Sequence, residues 1–157
     1  MSDPVQESVH VEAPPELVWG LVSDLPRMGE WSPENTGGTW VGGATGPAVG
    51  SRFKGTNRKG SRRWSTVSTV VECEEPRTMA WDVKAGPLPV ARWSYRIEPD
   101  GDAACAVTET WEDQRAGWSA RLTDAVLRSG PRGPHNRANM RTTLERLKAA
   151  AEASVSS

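Results

Sequence analysis

The 157-residue sequence has few of the residues that usually mark a catalytic or metal-binding centre. It holds two histidines (His10 and His135), two cysteines (Cys73 and Cys105), one tyrosine and one phenylalanine. No histidine or cysteine pair has the spacing of a zinc site, so no metal is expected. No serine and histidine have a plausible shared site, which argues against a Ser-His-Asp triad. Two cysteines in strand-like runs do not make a disulfide framework and read as buried free thiols. No apolar run approaches the ~20 residues of a membrane-spanning helix. The opening MSDPVQESVHVEA lacks the cationic and apolar regions of a secretory signal, so a cytoplasmic protein is expected. Neither charge sign dominates: the net charge is -1. Bulk electrostatics therefore gives no reason to expect a nucleic-acid partner, and stable membrane insertion is not expected either. The glycine-rich Thr36–Gly50 stretch lacks GxxxxGK[ST] and the strand-loop-helix context of a phosphate loop, so it reads as a bent strand and a loop. No cofactor is expected.

Tryptophan is what the chain has in excess, with eight in one domain-sized sequence. Each brings a large apolar face and an N–H that wants a partner, so such a set points to a roomy, partly polar interior. The rest of the pattern is periodic. Pro4–Val11 alternates, with Val5, Val9 and Val11 on one parity, as in a half-buried strand. Pro14 and Pro15 open a helix whose stripe is Leu17, Val18, Leu21 and Val22. Asp24 and Pro26 stop it, and Leu25–Glu30 reads as a second short helix. After the glycine-rich region come strand-like segments at Gly50–Asn57, Arg63–Cys73, Thr78–Lys84, Val90–Glu98 and Ala104–Glu112, separated by turn residues such as Pro99-Asp100-Gly101. Trp118–Arg128 has helical spacing. Gly130–Pro134 breaks it, and Asn136–Ala153 carries Met140, Leu144, Leu147 and Ala151 on one face.

This order predicts an α+β domain: a curved antiparallel sheet of about seven strands around a long C-terminal helix, with two short helices after the first strand. Its motifs resemble those of the START-like (SRPBCC) superfamily with the helix-grip fold, closest to the polyketide cyclase/dehydrase branch. The resemblance rests on VEAPPELVW at Val11–Trp19, DLPRMGEWSP at Asp24–Pro33, GSRFKGTN at Gly50–Asn57, RWST at Arg63–Thr66, VTETWE at Val107–Glu112 and NMRTTLERLK at Asn139–Lys148. It covers nearly the whole chain, read as one domain over residues 1–157. It implies a fold that hosts cyclases, lipid and hormone binders and other roles, so it fixes fold far better than activity.

Strand parity nominates the cavity wall. Phe53, Trp81, Trp93 and Trp111 would come from strands, Met28 and Trp31 from the second short helix, and Asn136, Asn139 and Met140 from the terminal helix. Glu109 shares the parity of Val107 and Trp111, so an inward carboxylate would be desolvated and poised for acid–base work; a one-residue slip would instead leave it on the surface. Tyr95 and Asn57 are the other candidate catalytic groups. Asn57 also suits a hairpin turn, and Asn136 a helix cap. Three functions stay open: a binder of a hydrophobic or aromatic small molecule, a cyclase or dehydratase using Glu109 and Tyr95, and a partner-binding, co-chaperone-like module. An exposed sheet edge leaves a homodimer open. The basic cluster Arg58–Arg63 reads as a solvated hairpin tip, or as a means of steering an anionic ligand or touching acidic lipid headgroups.

Overall fold

The computed structural model describes residues 4–33, 35–115 and 132–156, with side chains of the last segment described from Asn136 to Val155. Strand β1 (Val5–Val11) is followed by helix α1 (Pro15–Val22) and a 3-10 helix (Leu25–Glu30). Six strands follow: β2 (Asn35–Val41), β3 (Arg52–Lys59), β4 (Arg62–Glu74), β5 (Thr78–Ala85), β6 (Leu88–Pro99) and β7 (Cys105–Asp113). Helix α2 (Arg132–Ser156) closes the described chain. All strand pairings are antiparallel, in the order β1-β7-β6-β5-β4-β3-β2. This is the expected helix-grip α+β architecture.

Local chemistry explains the element boundaries. Pro15 stands at the first position of α1, where a missing N–H breaks no helical bond. Val18, Trp19 and Val22 form the buried stripe of α1. The helix ends where the Ser23 hydroxyl and backbone N–H both donate to the Trp19 carbonyl, at 2.6 and 2.9 Å. Pro26 then starts the tighter turn of the 3-10 helix.

Helix α2 begins at Arg132, four residues before the expected Asn136, and includes Pro134. Pro134 sits in the first described turn, where an N–H without a partner within the helix is tolerated. Met140, Leu144, Leu147 and Ala151 form the buried stripe, as their spacing predicts. The expected helix at Trp118–Arg128 lies outside the described residues.

Helix α2 is also held to edge strand β1 by polar contacts. The Glu7 carboxylate accepts from the guanidinium groups of Arg137 (2.7 Å) and Arg141 (3.1 Å). Lys148 Nζ donates to the His10 carbonyl at 2.8 Å, and the Glu12 N–H donates to Glu152 at 2.8 Å.

The inward sheet face is filled unevenly. At one end Met79, Ile97, Val107 and Leu147 belong to a fully buried core with Val11 and Val18. Further along the same strands the inward residues are Trp81, Trp93, Glu109 and Trp111, and the space between sheet and helix stays open. β4 turns its more valine-rich parity to solvent. The valine-rich parity, Val67 and Val71, points outward and is exposed, while Trp64, Thr66 and Ser68 face in. A register shift between Val70 and Glu72 lets the strand carry both sets.

Candidate ligand cavity

The open space is a cavity of about 470 Å³ between the concave sheet face, the 3-10 helix and the first turns of α2. Its wall is mostly apolar and aromatic. Trp81 stacks on Tyr95 with ring centroids 5.9 Å apart, and Trp111 packs with Val5, Ala91 and Met140. Phe53 meets Trp40 edge to face at 5.5 Å, which fixes its ring against the cavity. Such a surface with few convergent polar groups suits a small organic molecule.

Eleven of the twelve residues nominated from the sequence lie on this wall. They are Glu109, Tyr95 and Asn57, together with Met28, Phe53, Trp81, Trp93, Trp111, Asn136, Asn139 and Met140. Trp31 is the exception and corrects the expectation. The 3-10 helix ends at Glu30, and Trp31 follows with φ -123°, so it does not continue the Met28 face. Its ring lies buried in the main core, with the Arg27 guanidinium 5.6 Å from its centre.

Other wall residues were not nominated. Trp64 was missed because the apolar parity of β4 points outward. Arg115 was missed because it lies past the predicted end of β7, although the Trp111-Asp113-Arg115 alternation carries the signal. Arg115 is 6% exposed and forms a two-pronged ion pair with Asp113, with N···O distances of 2.9 and 2.8 Å. Its charge is therefore matched by Asp113.

The polar centre of the cavity is the pair Tyr95 and Glu109. They are direct cross-strand partners on β6 and β7, so both side chains point to the same face. The Tyr95 hydroxyl donates to Glu109 Oε2 at 3.1 Å. Glu109 is 3% exposed, which rules out the slipped register that would have placed it in solvent. Burial pushes its carboxyl up to about 8, against the lesser pull of the tyrosine hydroxyl. Burial first, and the carboxyl beside it second, push Tyr95 well above its ordinary value. At neutral pH the pair is thus an uncharged carboxylic acid beside an uncharged phenol. It offers hydrogen bonds to a ligand carbonyl or hydroxyl, and a proton to move. Asn57 joins the wall with a weak 3.4 Å contact from its amide to Thr66 Oγ1. Among the described residues no group of three His, Cys, Asp or Glu could hold a metal ion. No described helix is long and apolar enough to cross a membrane.

The family model described as "Polyketide cyclase / dehydrase and lipid transport" matches residues 4–152. The chain belongs to this family. A solved structure above 30% identity agrees with this membership, and others share the fold. A Polyketide_cyc-like protein from Corynebacterium glutamicum is 31% identical, with 94% of this chain and 88% of that chain covered and a TM-score of 0.59. A START superfamily protein from Mycobacterium smegmatis shares the fold at 18% identity, with 98% and 97% covered and a TM-score of 0.66. The di-domain ARO/CYC StfQ from the steffimycin biosynthetic pathway shares it at 15% identity and a TM-score of 0.66, over 94% of this chain and 44% of that chain. No curated protein matches the sequence.

Proposed function

We propose that the protein binds an uncharged hydrophobic or aromatic small molecule in the cavity between sheet and terminal helix. The observation that carries this reading is the wall itself. Four tryptophans (Trp64, Trp81, Trp93 and Trp111) surround the uncharged Tyr95–Glu109 pair and neutral amide and hydroxyl groups, and the one cation among the described wall residues, Arg115, is matched by Asp113. An anionic guest would meet no unmatched cation among the described wall residues and would lose its hydration without recompense there. A neutral guest with one carbonyl or hydroxyl would fill the apolar space and find Glu109 and Tyr95 for its polar atom.

The reading is tested with a neutral fluorescent probe, N-phenyl-1-naphthylamine, followed by its own emission and by tryptophan quenching. Saturable uptake at one probe per chain is expected, weakened at least about tenfold in Trp93→Ala, a half-buried wall residue. Absence of uptake, or equal uptake by the variant, would overturn it.

A second reading is favoured by the buried acid–phenol pair: a cyclase or dehydratase in which the cavity folds the substrate and Glu109 moves the proton. Loss of turnover in Glu109→Gln with ligand affinity retained would distinguish it from simple carriage.

A further inference from the structure

The cavity leaves one conspicuous feature unused. Between Arg52 and Arg63 the β3–β4 hairpin carries six cations (Arg52, Lys54, Arg58, Lys59, Arg62 and Arg63) and no carboxylate, in a chain whose net charge is only -1. Its positive charge is therefore segregated, and the balancing carboxylates lie elsewhere. Five of the six side chains are exposed and Lys59 is half-buried. None pairs with a carboxylate among the described residues; Arg58 donates only to the Gly60 carbonyl, at 2.9 Å. Arg58 and Arg63 stand directly opposite each other, and Lys59 opposite Arg62. Like charges in direct cross-strand register oppose sheet pairing. The hairpin therefore holds an unfavourable arrangement that an external anionic surface would relieve.

Position gives the charge a direction. The two-residue turn Gly60-Ser61 projects beyond the neighbouring β5–β6 turn at Gly86-Pro87, since Val67 of β4 already pairs with Lys84, one residue before the end of β5, and β4 reaches on to Arg62. At that neighbouring turn Leu88 is 48% exposed, and Leu88, Pro89 and Trp64 also belong to the cavity wall. The cationic hairpin, an exposed leucine and the cavity thus share one end of the sheet.

We propose that the β3–β4 hairpin is a docking pad for an anionic lipid surface, which sets the cavity end of the molecule against the headgroups. This rests on the cavity's being a site for hydrophobic guests, because a docked cavity end gives such a guest a short, dry path to lipid. Spread, flexible cations beside an exposed leucine fit a diffuse interfacial charge better than a single bound anion, and contact of this kind needs no inserted helix.

Vesicle sedimentation tests the pad. Phosphatidylglycerol-containing vesicles are compared with pure phosphatidylcholine at low and high salt, using the native chain and the quadruple variant Arg58→Gln, Lys59→Gln, Arg62→Gln, Arg63→Gln. The native chain should bind only the anionic vesicles, and lose them at high salt. The variant should bind at least about tenfold more weakly. Its circular dichroism and its uptake of N-phenyl-1-naphthylamine should match the native chain, so failure of the pad and failure of the cavity are read separately. Equal binding by the variant, equal binding to neutral vesicles, or retention by a short RNA without vesicle binding would each overturn the proposal. Should the quadruple variant misfold, the double variant Arg62→Gln, Arg63→Gln must still show a weaker response than the native chain.

Discussion

Glu109 is the residue on which the site's chemistry turns, and its environment sets a pH signature. A carboxyl of ordinary value 4.5 unfolded and about 8 folded binds a proton in the native state that the unfolded chain has already lost. Stability therefore falls as pH rises from about 4.5 towards 8 and levels off above it. Glu109→Gln keeps the shape and the hydrogen bonding but has no proton to lose. Denaturation midpoints measured across this window should slope down for the native chain and flatten for the variant. The variant's advantage at pH 8 should be on the order of a few kcal/mol. A parallel slope in both proteins would mean that the carboxyl is charged and solvated. At the same scale, Trp31 is buried in the main core alongside Trp19, at 3% and 5% exposure. Trp31→Ala should cost roughly 3–5 kcal/mol in urea denaturation while the folded fraction keeps its affinity for the probe. A stable variant with lost affinity would return Trp31 to the cavity wall.

At the scale of elements, strands β5, β6 and β7 were legible because period-two alternation is a property of each strand alone. Met79, Trp81 and Val83, then Trp93, Tyr95 and Ile97, then Val107, Glu109 and Trp111, all face inward as their parity predicts. β4 was not legible in the same way. Val67 and Val71 share one parity and Val70 the other, and which parity faces inward depends on the neighbouring strands, which put Trp64 and Val70 inside. Trp31 failed for a related reason: helical spacing says nothing about a residue one step beyond the helix end. The Glu7 contacts with Arg137 and Arg141 were also invisible, since they join residues about 130 positions apart. These contacts seat the cavity-forming half of α2. Their guanidinium groups hold Glu7 below its usual range, so the contribution is present above the unfolded value and is lost as pH falls through the folded one. Gly38 constrains the opposite edge of the sheet. A Cβ there would collide with the Lys54 carbonyl and stand 2.7 Å from the Phe53 ring. Gly38→Ala should push Phe53 towards the cavity or part β2 from β3, with a loss of about 2 kcal/mol or more by thermal denaturation. An unshifted midpoint would show that β2 yields freely.

At the scale of the whole molecule, the same sheet and helix make a filled core at one end and a hollow at the other. The hollow forgoes the dispersion contacts that close packing would give its wall. A guest restores them only in the native state, because the unfolded chain has no such wall, so binding must raise the unfolding temperature. At a free ligand concentration one hundred times the dissociation constant, the gain is about 2.7 kcal/mol. For a chain of this length that corresponds to a rise of roughly 5–10 °C. In Trp93→Ala, tenfold weaker binding at the same concentration reduces the gain to about half. Scanning fluorimetry with a neutral aromatic ligand, at concentrations bracketing its dissociation constant, should therefore give a logarithmic rise in midpoint, displaced by one decade in the variant. A midpoint that stays fixed while the ligand demonstrably binds would mean that it binds outside the cavity, on a surface that survives unfolding.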